Sequence, residues 1–240
     1  MKKFIIDDEV FEILPSLNAG VLVLENVCEN KKMSKEKAKN IEEMLKKANK
    51  EAKKYVTNEV ISENEVVKVW RETYSKFSTK KGARCSLENL LKRVLHDNPV
   101  ESILPSVDIT NSISLKYAFP IGAEDVLKLE GDLHLAVMNG DEKFIPIGSM
   151  DNESPLKGEI AYKDDYGCVC RCLNWRDGVR TQISDDTNYE FIIMECVEED
   201  RIDDLKKALD ELGNLMCEYL DAKIVIKEIV NKNKRELVIK

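Results

Sequence analysis

Turn-forming residues divide the second half of this chain into short apolar segments, and this pattern limits the folds open to it. Asn139-Gly140-Asp141 and Asp164-Asp165-Tyr166-Gly167 both favour tight turns between antiparallel strands. Each turn is flanked by two strand-like segments, residues 132–138 and 143–147 for the first turn, and residues 159–162 and 168–173 for the second. The sequence therefore predicts two hairpins in a largely antiparallel sheet.

Helical patterns dominate the first half. Ser34 and Ser86 are good N-cap residues, and Pro105 and Pro120 bracket a further helical segment. The predicted helices cover residues 35–56, 64–77, 87–97, 108–117 and 201–220. The other predicted strands cover residues 10–15, 20–27, 189–196, 223–230 and 236–239, the last two as a closing pair. Together these elements predict an α+β fold with mixed, largely antiparallel sheets and helices packed on them.

No repeat or linker-like tract divides the 240 residues. We therefore expect one composite domain over residues 1–240, with N-terminal strands and helices in 1–85 and the remaining core in 86–240. No apolar stretch is long enough to span a membrane, and the first residues lack a secretory pattern. A cytoplasmic protein without a membrane partner is expected.

Seven cysteines in apolar patterns suit reduced thiols better than a disulfide framework. Cys168, Cys170 and Cys172 are two residues apart, a spacing that places them on one strand face but too far apart to share a zinc ion. We interpret them as one buried face, with redox reactivity of one thiol as the alternative, and expect no metal and no cofactor. The remaining cysteines are Cys28, Cys85, Cys196 and Cys217.

Motifs of common enzyme classes are absent. The chain has no Gly-x-Ser-x-Gly elbow, no Walker loop, no dinucleotide glycine fingerprint and no His-Glu-x-x-His. The two histidines, His96 and His134, are predicted to be structural, with a general base as the alternative. A hydrolase built on this chain has to work without an obvious nucleophile.

Two polar runs interrupt the apolar pattern. Asn174-Trp175-Arg176-Asp177-Gly178-Val179-Arg180-Thr181 combines guanidiniums, which bind carboxylate or phosphate, with a tryptophan that can stack on a base. Alternatively, Arg176 and Asp177 pair across a turn. In the second run, Asp108 and Asn111 lie one helical turn apart and can face one cavity, unless Asp108 only caps the helix.

Charge is unevenly distributed. The formal net charge of -8 argues against indiscriminate nucleic-acid binding, so DNA is not expected as a partner. Residues 76–93, however, carry six cations and one acid, and such a segment can contact a phosphate backbone locally. The residues proposed for RNA contact are Lys80, Lys81, Arg84, Lys92 and Arg93.

In their order along the chain, several motifs resemble the editing domain of the phenylalanyl-tRNA synthetase beta subunit, its B-three/B-four region. The synthetase order is followed by Ser106-Val107-Asp108-Ile109-Thr110-Asn111, Phe119-Pro120-Ile121-Gly122-Ala123-Glu124-Asp125 and Asp185-Asp186-Thr187-Asn188. Stand-alone relatives add Trp70-Arg71-Glu72-x-Tyr74, a Leu-Leu-Lys-Arg helix after Ser86, Leu129-Glu130-Gly131-Asp132 and the run from Asn174 to Thr181. The resemblance covers nearly the whole chain and implies that fold.

The resemblance also implies an activity. The synthetase domain hydrolyses tyrosine wrongly attached to the phenylalanine tRNA, so a free-standing relative is expected to act in trans on an aminoacylated tRNA end. Gly122 stands where the family commonly has histidine, and Asp177-Gly178-Val179 replaces the Gly-Gly-Glu whose glutamate recognises the tyrosine hydroxyl. Tyrosine specificity is therefore not carried over. With no ATP-binding motif, the chain is not a complete tRNA ligase.

The site residues follow from this resemblance. Asn111 and Asn174 are expected to orient water or the substrate amine, and Asp108 or Asp177 to hold its ammonium group. Arg176 or Arg180 meets phosphate or the ester oxygen, and Trp175 stacks on the terminal adenine, while Gly122 and Thr181 border the amino-acid moiety. Three alternatives stay open: a non-catalytic module that binds an amino acid or RNA end, a polar network that only rigidifies the core, and an interaction-only role for the acidic helix from Arg201 to Leu220.

Overall fold

The computed structural model describes residues 1–27 and 33–240, in which two β-sheets face each other. The strands of the first sheet are β1 (Lys3–Ile6), β4 (Leu133–Val137), β5 (Ile160–Lys163), β6 (Cys168–Arg171), β7 (Arg176–Asp177) and β10 (Glu236–Val238). Their order is β10-β1-β4-β5-β6-β7. Neighbours are antiparallel except for β1 and β4, which are parallel.

The second sheet is entirely antiparallel among the described residues. Its strands are β2 (Asn18–Glu25), β3 (Ile121–Asp125), β8 (Tyr189–Cys196) and β9 (Lys223–Asn231). Their order is β3-β8-β2-β9. The predicted α+β class with mixed, largely antiparallel sheets is confirmed.

Six α-helices within the described residues cover these sheets. They are α1 (Asp8–Ile13), α2 (Lys35–Glu51), α3 (Glu65–Tyr74), α4 (Ser86–Leu95), α5 (Pro105–Tyr117) and α6 (Ile202–Leu220). The Ser34 side chain accepts a hydrogen bond from the Lys37 amide, as predicted for the N-cap of α2. α5 packs against both α2 and α6.

The larger hydrophobic core contains side chains from both ends of the chain, among them Phe4, Trp70, Phe191 and Leu237. Strands before residue 85 pair with later strands in both sheets, β1 with β4 and β2 with β8. Residues 1–85 and 86–240 are therefore interleaved, and the candidate site described below lies where the two sheets face each other.

Residues 10–15 were predicted as a strand, and this is wrong, because α1 occupies Asp8–Ile13. The helix buries only Val10, and Asp8 and Glu9 in its first turn favour the positive end of the helix dipole. A helix of six residues is too short for its apolar spacing to be distinguished from that of a strand.

The predicted hairpin of residues 132–138 with 143–147 is also wrong. β4 pairs with β1 and β5, whereas 143–147 is irregular and makes one isolated bridge, Pro146 to Gly178. Pro146 has no amide hydrogen and cannot continue a ladder. The second predicted hairpin, β5 with β6, is confirmed.

The closing strands do not pair with each other along their length. β9 pairs with β2 in one sheet and β10 with β1 in the other, although Asn231 and Lys234 form a local turn between them. β10 joins the first sheet because Leu237 is buried in the larger core. The prediction that they form a pair is therefore wrong, and the chain between β9 and β10 crosses from the second sheet to the first.

Ser86, predicted as an N-cap residue, and Asp108, for which capping was the alternative, do not occupy the N-cap positions of their helices. The N-cap position of α4 is Cys85, and that of α5 is Leu104 with Pro105 following it. Asp108 lies in the first turn of α5, and its carboxylate accepts hydrogen bonds from the Ile103 amide and the Ser102 hydroxyl. It therefore holds the loop before the helix rather than the helix end.

Candidate functional site

A small cavity of about 10 Å³ lies between the two sheets. β3 and β8 line one side with Gly122, Ala123, Glu124, Phe191 and Ile193. The other side is lined by Tyr162, Cys170, Asn174 and Asp177, from β5, β6, β7 and the turn between β6 and β7. A cavity of this size holds about one water molecule. The residues that line it include two with carboxyl groups, one with an amide and one with a phenol.

A strained turn places Asn174 in this wall. Cys172 and Leu173 have φ angles of 46° and 59°, a left-handed conformation that is costly for residues with a side chain. The turn is held from three sides, because the Tyr74 hydroxyl donates to the Cys172 carbonyl at 2.6 Å, and the Leu173 amide donates to the Ile160 carbonyl at 2.9 Å. The Cys172 amide donates to Glu159 Oε1 at 3.1 Å.

Glu159 is also one half of a fully buried ion pair. The Arg171 guanidinium donates to both of its carboxylate oxygens, at 3.0 and 2.7 Å, and to the Glu153 carbonyl at 3.0 Å. The same guanidinium lies 5.9 Å from the centre of the Trp175 ring. Arg171 thus connects β6, the loop before β5 and the polar run.

Asn174 is the centre of a buried network. Its Oδ1 accepts from both the amide and the hydroxyl of Ser86, at 3.0 and 3.1 Å, and so supplies the cap that α4 lacks locally. Its Nδ2 donates to Glu195 Oε2 at 2.7 Å, and the Tyr162 hydroxyl donates to Glu195 Oε1 at 2.7 Å. An amide nitrogen carries two hydrogens, and the bond to Glu195 uses one of those of Asn174.

Three carboxyl groups meet around the cavity. Burial raises the pKa of Glu124 well above its usual range, and the nearby Asp177 charge raises it further. Burial likewise raises the pKa of Asp177, whose enclosed carboxyl contacts the Cys170 thiol. For Glu195 burial raises the pKa to about 7, against the opposing hydrogen bonds from Tyr162 and Asn174. With this pKa, Glu195 can gain or lose a proton near neutral pH.

Three of the predicted site residues line the cavity together: Gly122, Asn174 and Asp177. Arg176 precedes Asp177 in β7 and lies on the opposite face of the strand. Within the described residues its guanidinium has no hydrogen bond or ion pair, so the alternative Arg176–Asp177 pair is wrong. Trp175 is half-buried beside it against the larger core.

Arg180 and Thr181 flank the cavity near Glu124. Arg180 pairs with the buried Asp164 at 2.6 Å and donates to the Lys128 carbonyl at 3.0 Å, so its guanidinium is committed to the protein. The Thr181 hydroxyl is buried beside the Glu124 carboxyl, and its interaction with that carboxyl lowers the pKa of Glu124 against the effect of burial.

Asp108 and Asn111 lie on α5, and neither lines the cavity. Burial raises the pKa of Asp108, opposed by its bonds to Ser102 and Ile103. Asn111 is half-buried, and within residues 1–27 and 33–240 its side chain makes no hydrogen bond. The structure does not bring the two polar runs together at this cavity.

The predicted RNA-contact cations lie at both ends of α4, with Lys80, Lys81 and Arg84 before its start and Lys92 and Arg93 in its last turn. Lys80 pairs with Glu153 at 2.5 Å, Arg84 with Glu88 at 3.9 Å, and Arg93 donates to the Pro99 carbonyl at 2.9 Å. Lys81 and Lys92 are exposed and, in the part of the chain that the structure describes, have no ion pair.

The three closely spaced cysteines, Cys168, Cys170 and Cys172, occupy two different elements. Cys168 and Cys170 lie in β6, but Cys172 falls in the turn after it, so the prediction of one strand face is wrong for Cys172. All three are buried, and burial raises the pKa of each thiol. Cys85 is buried too, with a pKa raised to about 12, whereas Cys28 lies outside the described residues.

Four residues of the site were not identified from sequence: Glu124, Tyr162, Cys170 and Glu195. The signal for Glu195 was the presence of two acidic residues, Glu190 and Glu195, in the largely apolar strand Tyr189–Cys196, where carboxyl groups must be buried. His134 lies elsewhere, 2.8 Å from the Asp7 carboxylate. No helix in residues 1–27 and 33–240 is both long enough and apolar enough to cross a membrane.

Comparisons with known proteins agree with this architecture. The crystal structure of an N-terminal fragment of the phenylalanyl-tRNA synthetase beta subunit from Pyrococcus horikoshii is similar in fold, with a TM-score of 0.52 and 12% sequence identity. The similarity covers 98% of this chain and 53% of the fragment, so the chain spans about half of that relative. No curated protein matches the chain. The sequence model of the B3/4 domain matches residues 69–216, more than half of the chain and including every cavity residue. The chain belongs to the B3/4 domain family.

Proposed function

We propose that this protein is a free-standing hydrolase of aminoacyl-tRNA esters that acts in trans on mischarged tRNA. The observation that carries the proposal is the cavity between the sheets, where Asn174, Asp177 and Glu124 converge inside the B3/4 region. An aminoacyl ester is already activated, so its hydrolysis needs a positioned water, a proton acceptor and a donor to the ester oxygen more than it needs a nucleophilic side chain.

The proposed reaction uses the groups of the cavity wall. A water oxygen attacks the ester carbonyl carbon while an ionised carboxylate, Asp177 or Glu124, accepts the water proton. The second N–H of Asn174 donates to the carbonyl oxygen as negative charge develops there. The bond to the ribose oxygen then breaks, and the carboxyl returns its proton to that oxygen, which leaves a free amino acid and an intact tRNA end.

Glu195 acts through Asn174 in this scheme. Because its two oxygens accept from Asn174 and Tyr162, it fixes the orientation of the amide and of its second N–H. The proposed substrate contacts also include Thr181 beside the cavity and Asp108 and Asn111 on α5. For the latter two, α5 has to approach the bound substrate.

Of the two roles expected for the arginines, Arg176 is better suited to contact phosphate. Its side chain lies on the face of β7 away from the cavity and has no partner in the described residues. Together with Trp175 and the exposed Lys81 and Lys92, it can contact the acceptor end of a tRNA while the amino acid enters the cavity.

Deacylation of a panel of mischarged tRNAs tests the function. We expect turnover above spontaneous hydrolysis for at least one species, and Arg176→Ala to lower it roughly tenfold, the contribution of one charge-assisted contact. The melting temperature should change little, because Arg176 makes no hydrogen bond or ion pair within the described residues and only its charge acts on Glu153. Arg180→Ala is the matched contrast, since it leaves the buried Asp164 unpaired and should destabilise the protein by about 3 kcal/mol.

Two results would contradict parts of the proposed function. If no aminoacyl-tRNA is hydrolysed above background although the acceptor end binds, the non-catalytic binding module is correct. An Arg176→Ala variant that melts at lower temperature and binds tRNA normally assigns the arginine to the fold.

A further inference from the structure

We infer that Glu153 occupies an anion site formed by Lys80 and Arg176, and that a phosphate group of the tRNA acceptor end displaces it when RNA binds. This inference rests on the proposed function, because it names the position at which that RNA is held. It adds a second cation, Lys80, to the phosphate contact proposed for Arg176, and it gives the site an internal competitor, Glu153.

Lys80 lies beside both Glu153 and the turn that follows β6. Its ammonium group is 2.5 Å from Glu153 Oε2. The loops that carry the two residues pack on each other, since the Ser78 amide donates to the Gly158 carbonyl at 3.1 Å. A hydrogen bond from the Lys80 backbone also lowers the pKa of the Cys172 thiol against the effect of burial. Lys80 is therefore close to the start of the polar run that contains Arg176.

Arg176 approaches Glu153 from the first sheet. It is the direct partner of Arg171 across β6 and β7, so the two side chains lie on the same face of the sheet. The Arg171 guanidinium donates to the Glu153 carbonyl at 3.0 Å, so Glu153 borders this face. The hydrogen bond from Lys80 lowers the pKa of the Glu153 carboxyl most, and the charges of Arg176 and Arg171 lower it further. The Glu153 carboxylate is therefore near both Lys80 and Arg176.

The cations of this cluster outnumber its carboxylates. Arg171 is balanced by Glu159 in their buried ion pair. The single charge of Glu153 acts on both Lys80 and Arg176, but it forms an ion pair only with Lys80 among the described residues. A phosphate group can accept charge-assisted hydrogen bonds from an ammonium and a guanidinium at the same time. An RNA phosphate therefore satisfies two cations where the carboxylate pairs with one.

The Glu153 carboxylate can leave its position without unfolding the loop. The Lys80 side chain is 45% exposed and that of Glu153 27%, and an ion pair so open to water contributes little to stability. The main chain of Glu153 is fixed independently, because its amide donates to the Phe144 carbonyl at 2.7 Å and its carbonyl accepts from Arg171. Rotation of one side chain is therefore enough to expose both cations to a ligand.

Binding of RNA that carries no amino acid tests this site separately from hydrolysis. The probe is a fluorescent RNA hairpin with the single-stranded 3′ end of a tRNA, and its anisotropy at low salt gives the Kd. Glu153→Gln should lower the Kd roughly three- to tenfold, because the competing charge is removed. Lys80→Gln should raise the Kd by a similar factor, and the double variant should lose the gain of Glu153→Gln. Melting temperatures establish that the variants fold.

Asp151→Asn is the matched control. It removes the same charge from the same loop, but Asp151 is exposed and forms no ion pair in the part of the chain that the structure describes. Its Kd should therefore stay close to that of the wild type. An unchanged Kd in Glu153→Gln, an equal gain in Asp151→Asn, or no hairpin binding by any of these proteins would overturn the inference.

A second probe, inorganic phosphate, distinguishes RNA from a free anion. If phosphate binds with the same dependence on Lys80 and Glu153 while the hairpin does not bind, the site takes a free anion and the assignment to RNA is wrong. Hairpin binding in the expected order of variants, without hydrolysis of any mischarged tRNA, would support the inference and refute the proposed hydrolase.

Discussion

Glu195 shows at the scale of a residue how the site depends on the fold. Its carboxyl is buried in the second sheet, yet it receives hydrogen bonds from Tyr162 of the first sheet and from Asn174 of the turn. Burial opposes ionisation and the two donors favour it, and burial is the stronger effect, so the pKa is raised to about 7. Its proton is therefore exchanged near neutral pH.

This pKa predicts a specific pH dependence of stability. Since the folded pKa of about 7 is above the ordinary 4.5, the stabilisation is complete below pH 4.5 and is lost as pH rises through 7. That difference corresponds to about 3 kcal/mol. We expect Glu195→Gln to lack this loss, so that the free energy of unfolding of the wild type relative to the variant falls by about 3 kcal/mol between pH 4.5 and 8. Parallel pH curves in chemical denaturation would contradict the assignment.

Sequence could identify only some of the site residues. Gly122, Asn174 and Asp177 were found because motifs mark them. Glu124 lies in the same motif as Gly122 but was not recognised as a site residue, and Tyr162 lies in no motif, because the role of both depends on which face of a strand meets the other sheet. Arg180 and Asp108 were expected to contact the substrate because of their charged groups. In the structure Arg180 pairs with Asp164, and Asp108 accepts a hydrogen bond from Ser102, and neither partner could be foreseen from the sequence.

At the scale of elements, the turn at Cys172 and Leu173 links the buried ion pair to the site. Two consecutive left-handed residues persist only where surrounding bonds hold them, and here Glu159 and Tyr74 do so. The turn, in turn, places Asn174 against Ser86 at the start of α4. The strained turn therefore holds the Asn174 side-chain amide in a defined position.

Breaking the ion pair should have a large effect. Glu159→Gln leaves the buried Arg171 charge uncompensated and weakens the bond to the Cys172 amide, so we expect a loss of about 3 to 5 kcal/mol in the free energy of unfolding. Glu153→Gln is the control, because its partly exposed side chain forms an ion pair with the exposed Lys80 and its effect should stay below about 1 kcal/mol. Urea denaturation measures both, and equal effects would refute the role of Arg171 and Glu159.

Whether a segment forms a helix or a strand could be predicted where its hydrophobic pattern was long. α2, α5, α6 and β8 were predicted from periodicity and turn residues, and each is present. The failures were short or non-local: α1 has six residues, residues 143–147 contain Pro146, and the partner of β10 is a strand at the other end of the chain. Pairing between distant strands leaves no local signal.

At the scale of the whole molecule, the site exists because the two sheets face each other. β3 and β8 bring Glu124, Phe191 and Ile193 to one wall, and the strands and turn of the first sheet bring Asn174 and Asp177 to the other. The net charge of -8 coexists with a basic segment that runs from before α4 to its last turn and includes the exposed Lys81 and Lys92. Neither sheet alone contains the site.

Gly122→Ala tests the central claim, that this cavity is where the ester is hydrolysed. A Cβ at this position lies 3.7 Å from Ile193 Cγ2 and 3.9 Å from Asn174 Cβ, ordinary contact distances, so the variant should fold with unchanged or slightly higher stability. The added methyl nevertheless occupies the space of about 10 Å³ that the substrate needs. Single-turnover deacylation of the best mischarged tRNA is the measurement. We predict a rate reduced roughly tenfold or more with an unchanged melting temperature, and a variant that hydrolyses this ester at the wild-type rate would contradict the account.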